Sequence, residues 1–499
     1  MQRPNRDSPD PSADLVLRGG TVLTLDDAGT SGTAVAVRHG RILRVGSDAD
    51  VQRAIGRRTT VVDLDGRAVI PGINDSHLHA TWLGAMWPNT VFGGMGAGVE
   101  EEGGGAGGGG AGAGAGGGGG AAAGGGTAGG DPHDTSGSAP LVSTREERRA
   151  AILRAGELIA SLGITSYTEP GLGPGEDDGA TGCFSTSVFD AYVELQAERA
   201  LRARVNVLAL FGALDGPSTL HGFTTGIRAL DRETTRPTWL RVAGVKIFAD
   251  GIPPMQQAWT RHSYPDGSSG DLLVAGLDRA ERADNLRRMI LEANRLGYQV
   301  GVHATGDRTI ETTIDAVEEA MAESRMELRH YVIHGDLLDA ASLARMARLG
   351  MGWNVQPGIA VKTAAWLGSV LGESTAAEAW PLGAAAAAGV SVSLSSDAPI
   401  LAPDWRQGIA DADAWLGAPH PATERDRMLS LLHGYTTAPA RQDGADPWKG
   451  SLEPRKVADL CVLEADPLSL APSELPAVAV DLTVVDGEIV YERTPVYTA

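Results

Sequence analysis

"AVIPGINDSHLH", residues 68–79, runs from an apolar stretch through a Pro-Gly bend to two histidines one residue apart. Val69 and Ile70 are strand formers, and Pro71 and Gly72 mark a bend just before the histidines. In an extended strand the side chains at i and i+2 share a face, so the imidazoles of His77 and His79 can converge on one point, as a zinc-type ion requires. Two histidines at that spacing also arise by chance in many chains. The rest of the sequence decides between a metal pair and two imidazoles that happen to end a strand.

Further along, short β-rich runs alternate with amphipathic helical stretches, the signature of a βα architecture with a parallel sheet. After 68–79 the strand candidates are "GITSYTEP" (163–170), "RVNVLALFG" (204–212), "RVAGVKIFADG" (241–251) and "GYQVGVHATGD" (297–307). "HYVIHGD" (330–336), "MGWNVQPG" (351–358) and "GVSVSLSSDAP" (389–399) complete a set of eight. Between them, "TREERRAAILRAGELIASLG" opens with Thr144 and Glu147 at capping-box spacing, and "DRAERADNLRRMILEANRLG" ends on a glycine suited to a helix C-terminus. This pattern predicts an α/β fold, a (β/α)8 TIM barrel over residues 69–449.

The two ends of the chain read differently. Residues 14–68 and 450–495 alternate apolar and polar residues between Gly and Asp turns, as antiparallel strands do. Each piece is small, which predicts one β-sandwich domain built from both termini. Residues 93–130 are dominated by glycine and alanine, too poor in large apolar side chains to offset chain entropy, so a flexible Gly-rich loop is expected to interrupt the barrel over 93–140.

Composition narrows the function classes. With 499 residues the chain exceeds a usual single core, and a hydrophobic content of 42% is ordinary for a globular protein. The formal net charge of −21 disfavours a nucleic-acid groove, which needs clustered Lys and Arg. Cys183 and Cys461 are no disulfide framework and fit a reducing cytosol, each read as inert filler. The start "MQRPNRDSPDPSADL" is charged and proline-bearing where a secretory signal needs an apolar stretch, and no run is long enough to span a bilayer. A cytoplasmic location is expected, with a small-molecule substrate, no nucleic acid, no membrane, and homo-oligomerisation left open.

A barrel's active site forms at the C-terminal ends of its strands. There the sequence puts His77 and His79 on strand one, Lys246 on strand four, His303 on strand five, His334 on strand six and Asp397 on strand eight. Singly, each has a plain structural reading: a satisfied core histidine, a salt-bridged lysine, a helix-capping aspartate. Together they are hard to dismiss. A lysine among Val245, Ile247 and Phe248 is costly to bury charged, and a neutral amine can also react with CO₂ to give a carbamate able to bridge two metal ions.

"VIPGINDSHLH", "GVKIFADG", "VGVHATGD", "YVIHGD" and "SLSSDAP", with the tail "GSLEPRKVADLCVLEADP", resemble the amidohydrolase superfamily, and most of all amidohydrolase family 3, the branch with N-substituted formamide deformylases. The resemblance runs from about residue 14 to residue 493 apart from the glycine tract. It implies His77, His79 and Asp397 on one metal, His303 and His334 on the other, and a carboxylated Lys246 bridging them. The implied cofactors are a divalent metal, two Zn²⁺ per chain, and the CO₂-derived carbamate on Lys246. In this branch a structured insertion follows the first strand, where this sequence has the glycine tract, and Arg455 stands where glycine is usual.

The resemblance implies a metal-dependent amidohydrolase acting on a non-peptide carbon–nitrogen bond in an amide, formamide or cyclic amide. Asp397 would serve as general base and then general acid. Asp250, Gly251, Asp307, Asn354 and Gln356 are further candidates to line the substrate pocket. A mononuclear deaminase of the superfamily would want a glutamate just after the strand-five histidine, where the sequence reads "HATGD". Ester or lactone hydrolysis uses the same metal chemistry. A non-catalytic oligomeric scaffold on the fold should have lost ligands, whereas here every ligand position is filled.

Overall fold

A computed structural model describes residues 12–95, 139–231, 234, 236–324, 326–415 and 423–494. The barrel strands are Ile73–Asp75 (β1), Ile164–Leu172 (β2), Arg204–Leu210 (β3), Leu240–Phe248 (β4), Gln299–Ala304 (β5), Tyr331–His334 (β6), Gly352–Val355 (β7) and Ser391–Leu394 (β8). Each pairs in parallel with its sequence neighbour, so the sheet runs in strict order from β1 to β8. Every residue of β3 and of β5 is buried. A parallel strand covered on both faces has no solvent side to show, which is why these runs are rich in apolar residues, while their polar members Arg204, Asn206, Gln299 and His303 are buried as well.

The helices begin and end where the caps predict. Glu147 N donates to Thr144 Oγ1 at 3.1 Å and Thr144 N donates to Glu147 Oε2 at 3.0 Å, starting the helix Arg145–Ser161. Gly297, at φ +74°, follows the helix Arg279–Arg295 and turns the chain into β5. No helix among the described residues is long and apolar enough to cross a membrane.

The stretch 68–79 is not one strand. Ala68–Pro71 pairs with Leu15–Leu23 and Leu460–Leu463 in the terminal sheet, and only Ile73–Asp75 belongs to the barrel. The switch falls at Gly72, whose N–H donates to Asp459 O at 2.9 Å and where a Cβ would collide with the side chain of Thr165. Proline just before it offers no N–H to continue the ladder, so the backbone can leave one sheet and enter the other.

Both termini build one eight-stranded mixed sheet. Its N-terminal strands include Leu15–Leu23, Ser31–Arg38 and Arg41–Gly46, and the C-terminal segment adds Leu460–Leu463, Val480–Val485 and Glu488–Glu492. Leu17, Val35 and Val37 share one apolar cluster with Leu460, Val462 and Val484, so the two ends of the chain build the main core of this domain together. A buried ion pair ties this domain to the barrel: Arg204 of β3 reaches Asp459 with Nε to Oδ2 at 2.7 Å and Nη2 to Oδ1 at 2.9 Å. Of the glycine tract, residues 93–95 close a short helix, Val91–Met95, and 96–130 lie outside the described residues.

The barrel closes through the residues just past its first and last strands. Leu78 forms a parallel bridge with Ala398; Asp397 N donates to His77 O and His79 N donates to Ala398 O, both at 2.8 Å. Asp75 reinforces this seam, its Oδ1 accepting from Ser396 N at 3.1 Å.

Candidate metal centre

The seam brings His77, His79 and Asp397 together. Asp397 Oδ1 lies 3.3 Å from His77 Nε2 and 3.4 Å from His79 Nε2. One ligand atom from each of the three lies within 4.8 Å of the others, and all three residues are buried. The convergence expected of an i, i+2 pair is present, but its cause differs: the histidines lie beyond β1, held by the bridge to Ala398, and His79 already precedes the helix Ala80–Met86.

The other candidates complete a ring around the same mouth. The four imidazoles follow one another, with centroids 5.3 Å apart from His79 to His77, 5.5 Å from His77 to His334 and 4.5 Å from His334 to His303. Lys246 is buried on β4, its Nζ 4.5 Å from the centroid of the Phe248 ring. All six side chains line a single cavity of about 1050 Å³, its open mouth included.

Their environments suit a cation. Both ring nitrogens of His303 and Nδ1 of His77 are buried with no hydrogen-bond partner among the described residues. Such atoms are costly to bury unless something accepts their lone pairs, and a bound metal ion does so. Burial pushes His77 down to about 3 and His303 well below the usual histidine range, so both rings are neutral at pH 7. Burial also brings Lys246 down to about 8, with Asp397 opposing. Burial works against charge on His79, yet its bonds to Asp397 and Glu169 lift it to about 9.

Two neighbours set which ring nitrogen faces the centre. Glu169, near the end of β2, meets His79 Nδ1, and Gln356 Oε1 lies 2.7 Å from His334 Nδ1. With Nδ1–H donating outward in each ring, Nε2 is the atom presented to a metal. His334 and Asp397 have φ of +68° and +56°, a conformation that costs non-glycine residues on the order of 1–3 kcal/mol and recurs at functional sites.

The expected pocket residues divide. Gly251 and Gln356 line the cavity. Asp250 is enclosed, accepting from Thr305 N at 3.0 Å and Gly306 N at 2.9 Å, and burial raises it to about 7. Asp307 pairs with Arg261 at 3.2 Å, and Asn354 donates to Ser76 Oγ at 2.7 Å; neither lines the cavity. Glu169 and Asp75 are central and escaped the sequence reading. The one sign of Glu169 in the sequence is a charged residue inside an otherwise strand-like run, as for Lys246. Cys183 and Cys461 are buried away from the cavity, their thiols pushed up to about 12 by burial.

The chain is similar to several known proteins. A profile described as "Amidohydrolase family" matches residues 85–491. Protein LONG AFTER FAR-RED 3 of Arabidopsis thaliana is 25% identical over 91% of this chain and 88% of its own length. The N-substituted formamide deformylase of Arthrobacter pascens is 30% identical, the alignment covering 51% of this chain and 46% of that enzyme. Among solved structures, a metal-dependent hydrolase of Pyrococcus furiosus superposes with a TM-score of 0.65 at 20% identity, over 91% of this chain and 99% of the other, a likeness of fold.

Proposed function

The chain belongs to the amidohydrolase family, and from that premise we propose that it hydrolyses a non-peptide carbon–nitrogen bond in a small amide, formamide or cyclic amide. His77, His79 and Asp397 would hold one divalent metal ion and His303 and His334 a second, with Lys246, as its carbamate, completing the ligand set. The observation that carries this reading is the convergence of these six side chains on one cavity with the ring nitrogens of His303 left unpartnered.

When bound, zinc-type ions supply Lewis-acid activation of a water molecule and of the substrate carbonyl. The chain supplies the rest. Glu169 and Gln356 hold His79 and His334 with Nε2 turned to the centre. The Asp397 carboxylate takes the proton of the attacking water and returns it to the leaving nitrogen, base first and acid second. Burial suits Lys246 to carbamate formation, because the neutral amine is the form that reacts with CO₂. Phe248, Ile252 and Ile359 line the cavity with apolar surface and limit competing water.

The test is metal content and turnover on one preparation, purified without chelator and with bicarbonate present. Close to two metal equivalents per chain by mass spectrometry, falling on Lys246→Ala, with amine released from simple amides, is expected. A metal-free chain after reconstitution, or a loaded chain that cleaves esters and no amide, overturns the proposal.

A further inference from the structure

The cavity wall beyond the metal-ligand candidates is chemically one-sided. Phe92, Phe248, Trp366 and Trp380 give it aromatic surface, and Asp215 brings in a carboxylate from the loop after β3. Among the described lining residues, Lys246 is the sole lysine or arginine, and it belongs to the ligand set. A carboxylate on the substrate would lose its hydration on entering and find no dedicated cation outside the metal centre, a large cost for a charged group. An organic cation has the opposite balance: aromatic faces attract it through their quadrupoles, and a carboxylate adds Coulomb attraction.

This wall is built before any ligand arrives. Trp380 Nε1 donates to Asp336 Oδ1 at 3.0 Å, and its ring packs edge-on against Trp415 at 5.7 Å, fixing its orientation. Leu214 N donates to Glu176 Oε1 at 2.7 Å, anchoring the loop one residue before Asp215. Asp215 itself has φ +46°, a left-handed conformation that Asp and Asn tolerate better than most residues.

We propose that the cavity selects amides whose apolar body carries a cationic amine, with Asp215 as the anchoring carboxylate and the Trp366 and Trp380 side as its aromatic wall, and that it disfavours carboxylate-bearing substrates such as N-acyl amino acids. This substrate class rests on the hydrolase reading above, but the binding selectivity can be read without any turnover. The free Lys246 ammonium, whose charge Asp215 favours, would compete for this carboxylate, and the carbamate proposed above for the metal-loaded protein removes that competitor.

The experiment compares binding of phenyltrimethylammonium with its uncharged carbon isostere, tert-butylbenzene, to the metal-loaded protein by tryptophan fluorescence. Neither probe can ligate a metal. The ammonium is expected to bind about tenfold more tightly, a gap of about 1.4 kcal/mol. Asp215→Asn, which keeps the left-handed backbone acceptable, is expected to close most of that gap with an unchanged thermal melt. Equal binding of the two probes, or a gap that survives Asp215→Asn, overturns the proposal. Amide turnover on the same samples separates the two readings. Turnover without cation preference sinks this inference alone, whereas cation preference without turnover upholds the subsite and sinks the hydrolase reading.

Discussion

Glu169 Oε1 lies 3.2 Å from His79 Nδ1, while its Oε2 accepts from Ala80 N and from the Tyr192 hydroxyl, each at 2.8 Å. The carboxylate is thus held by a helix start and a buried phenol, and it in turn holds the imidazole. Tyr167 extends the chain of contacts, its hydroxyl 3.0 Å from that of Tyr192. A ring braced in this way is pre-oriented rather than free to rotate.

Glu169→Ala is therefore expected to weaken metal binding by roughly 10–100-fold, as loss of such supporting carboxylates does elsewhere. Competition with a chromophoric chelator reads this directly. Unchanged affinity would mean that His79 needs no brace.

His77→Ala and Asp397→Ala each remove a contributor to the buried three-residue group. Hydrolysis should fall roughly a thousandfold or more, since several kcal/mol of transition-state stabilisation go with the metal. Circular dichroism should show the fold retained, and substantial activity in either variant would remove Asp397 or His77 from the mechanism.

Arg204→Ala leaves Asp459 buried without its main partner, a change expected to cost about 3–5 kcal/mol. Urea unfolding would show it, and adding Asp459→Ala should cost much less than a second full penalty. Full additivity would mean that the pair is not coupled.

Burial raises Asp336 to about 7, against 3.8 for the unperturbed group. The folded chain then keeps a proton that the unfolded chain gives up, so this group's contribution to stability is present below about pH 4 and is lost as pH rises through 7. Asp336→Asn, which still accepts from Trp380 Nε1 through Oδ1, should flatten the decline in stability between pH 4 and 7 by up to about 1.4 kcal/mol per pH unit. Denaturant midpoints across that range check the sign as well as the size.

The barrel was legible because its strands are buried on both faces and therefore read as apolar runs ending in polar residues, as at His303 and His334. The division of residues 68–79 between two sheets was not: Val69 and Ile73 look alike as strand formers, and the contacts of Gly72 with Asp459 and Thr165 that separate them come from distant parts of the chain. Glu169 was hidden for a related reason. Its partner lies ninety residues earlier, so no local spacing links the two. The cavity walls were least accessible of all, since Phe92, Trp366 and Trp380 sit on helices and connections whose direction over the mouth depends on the whole fold.

At the seam, the same backbone that bolts β8 to β1 carries His77, His79 and Asp397. An ion held by these side chains would act as a clasp on the cylinder, because separating the two edges would pull its ligands apart. Affinity for the ion is then also resistance to opening, worth RT ln(1 + [M]/Kd), so saturating metal at a hundred times Kd would add about 2.7 kcal/mol. The amide hydrogens of His79 and Asp397, bonded across this join, would exchange faster in the stripped protein than in the loaded one.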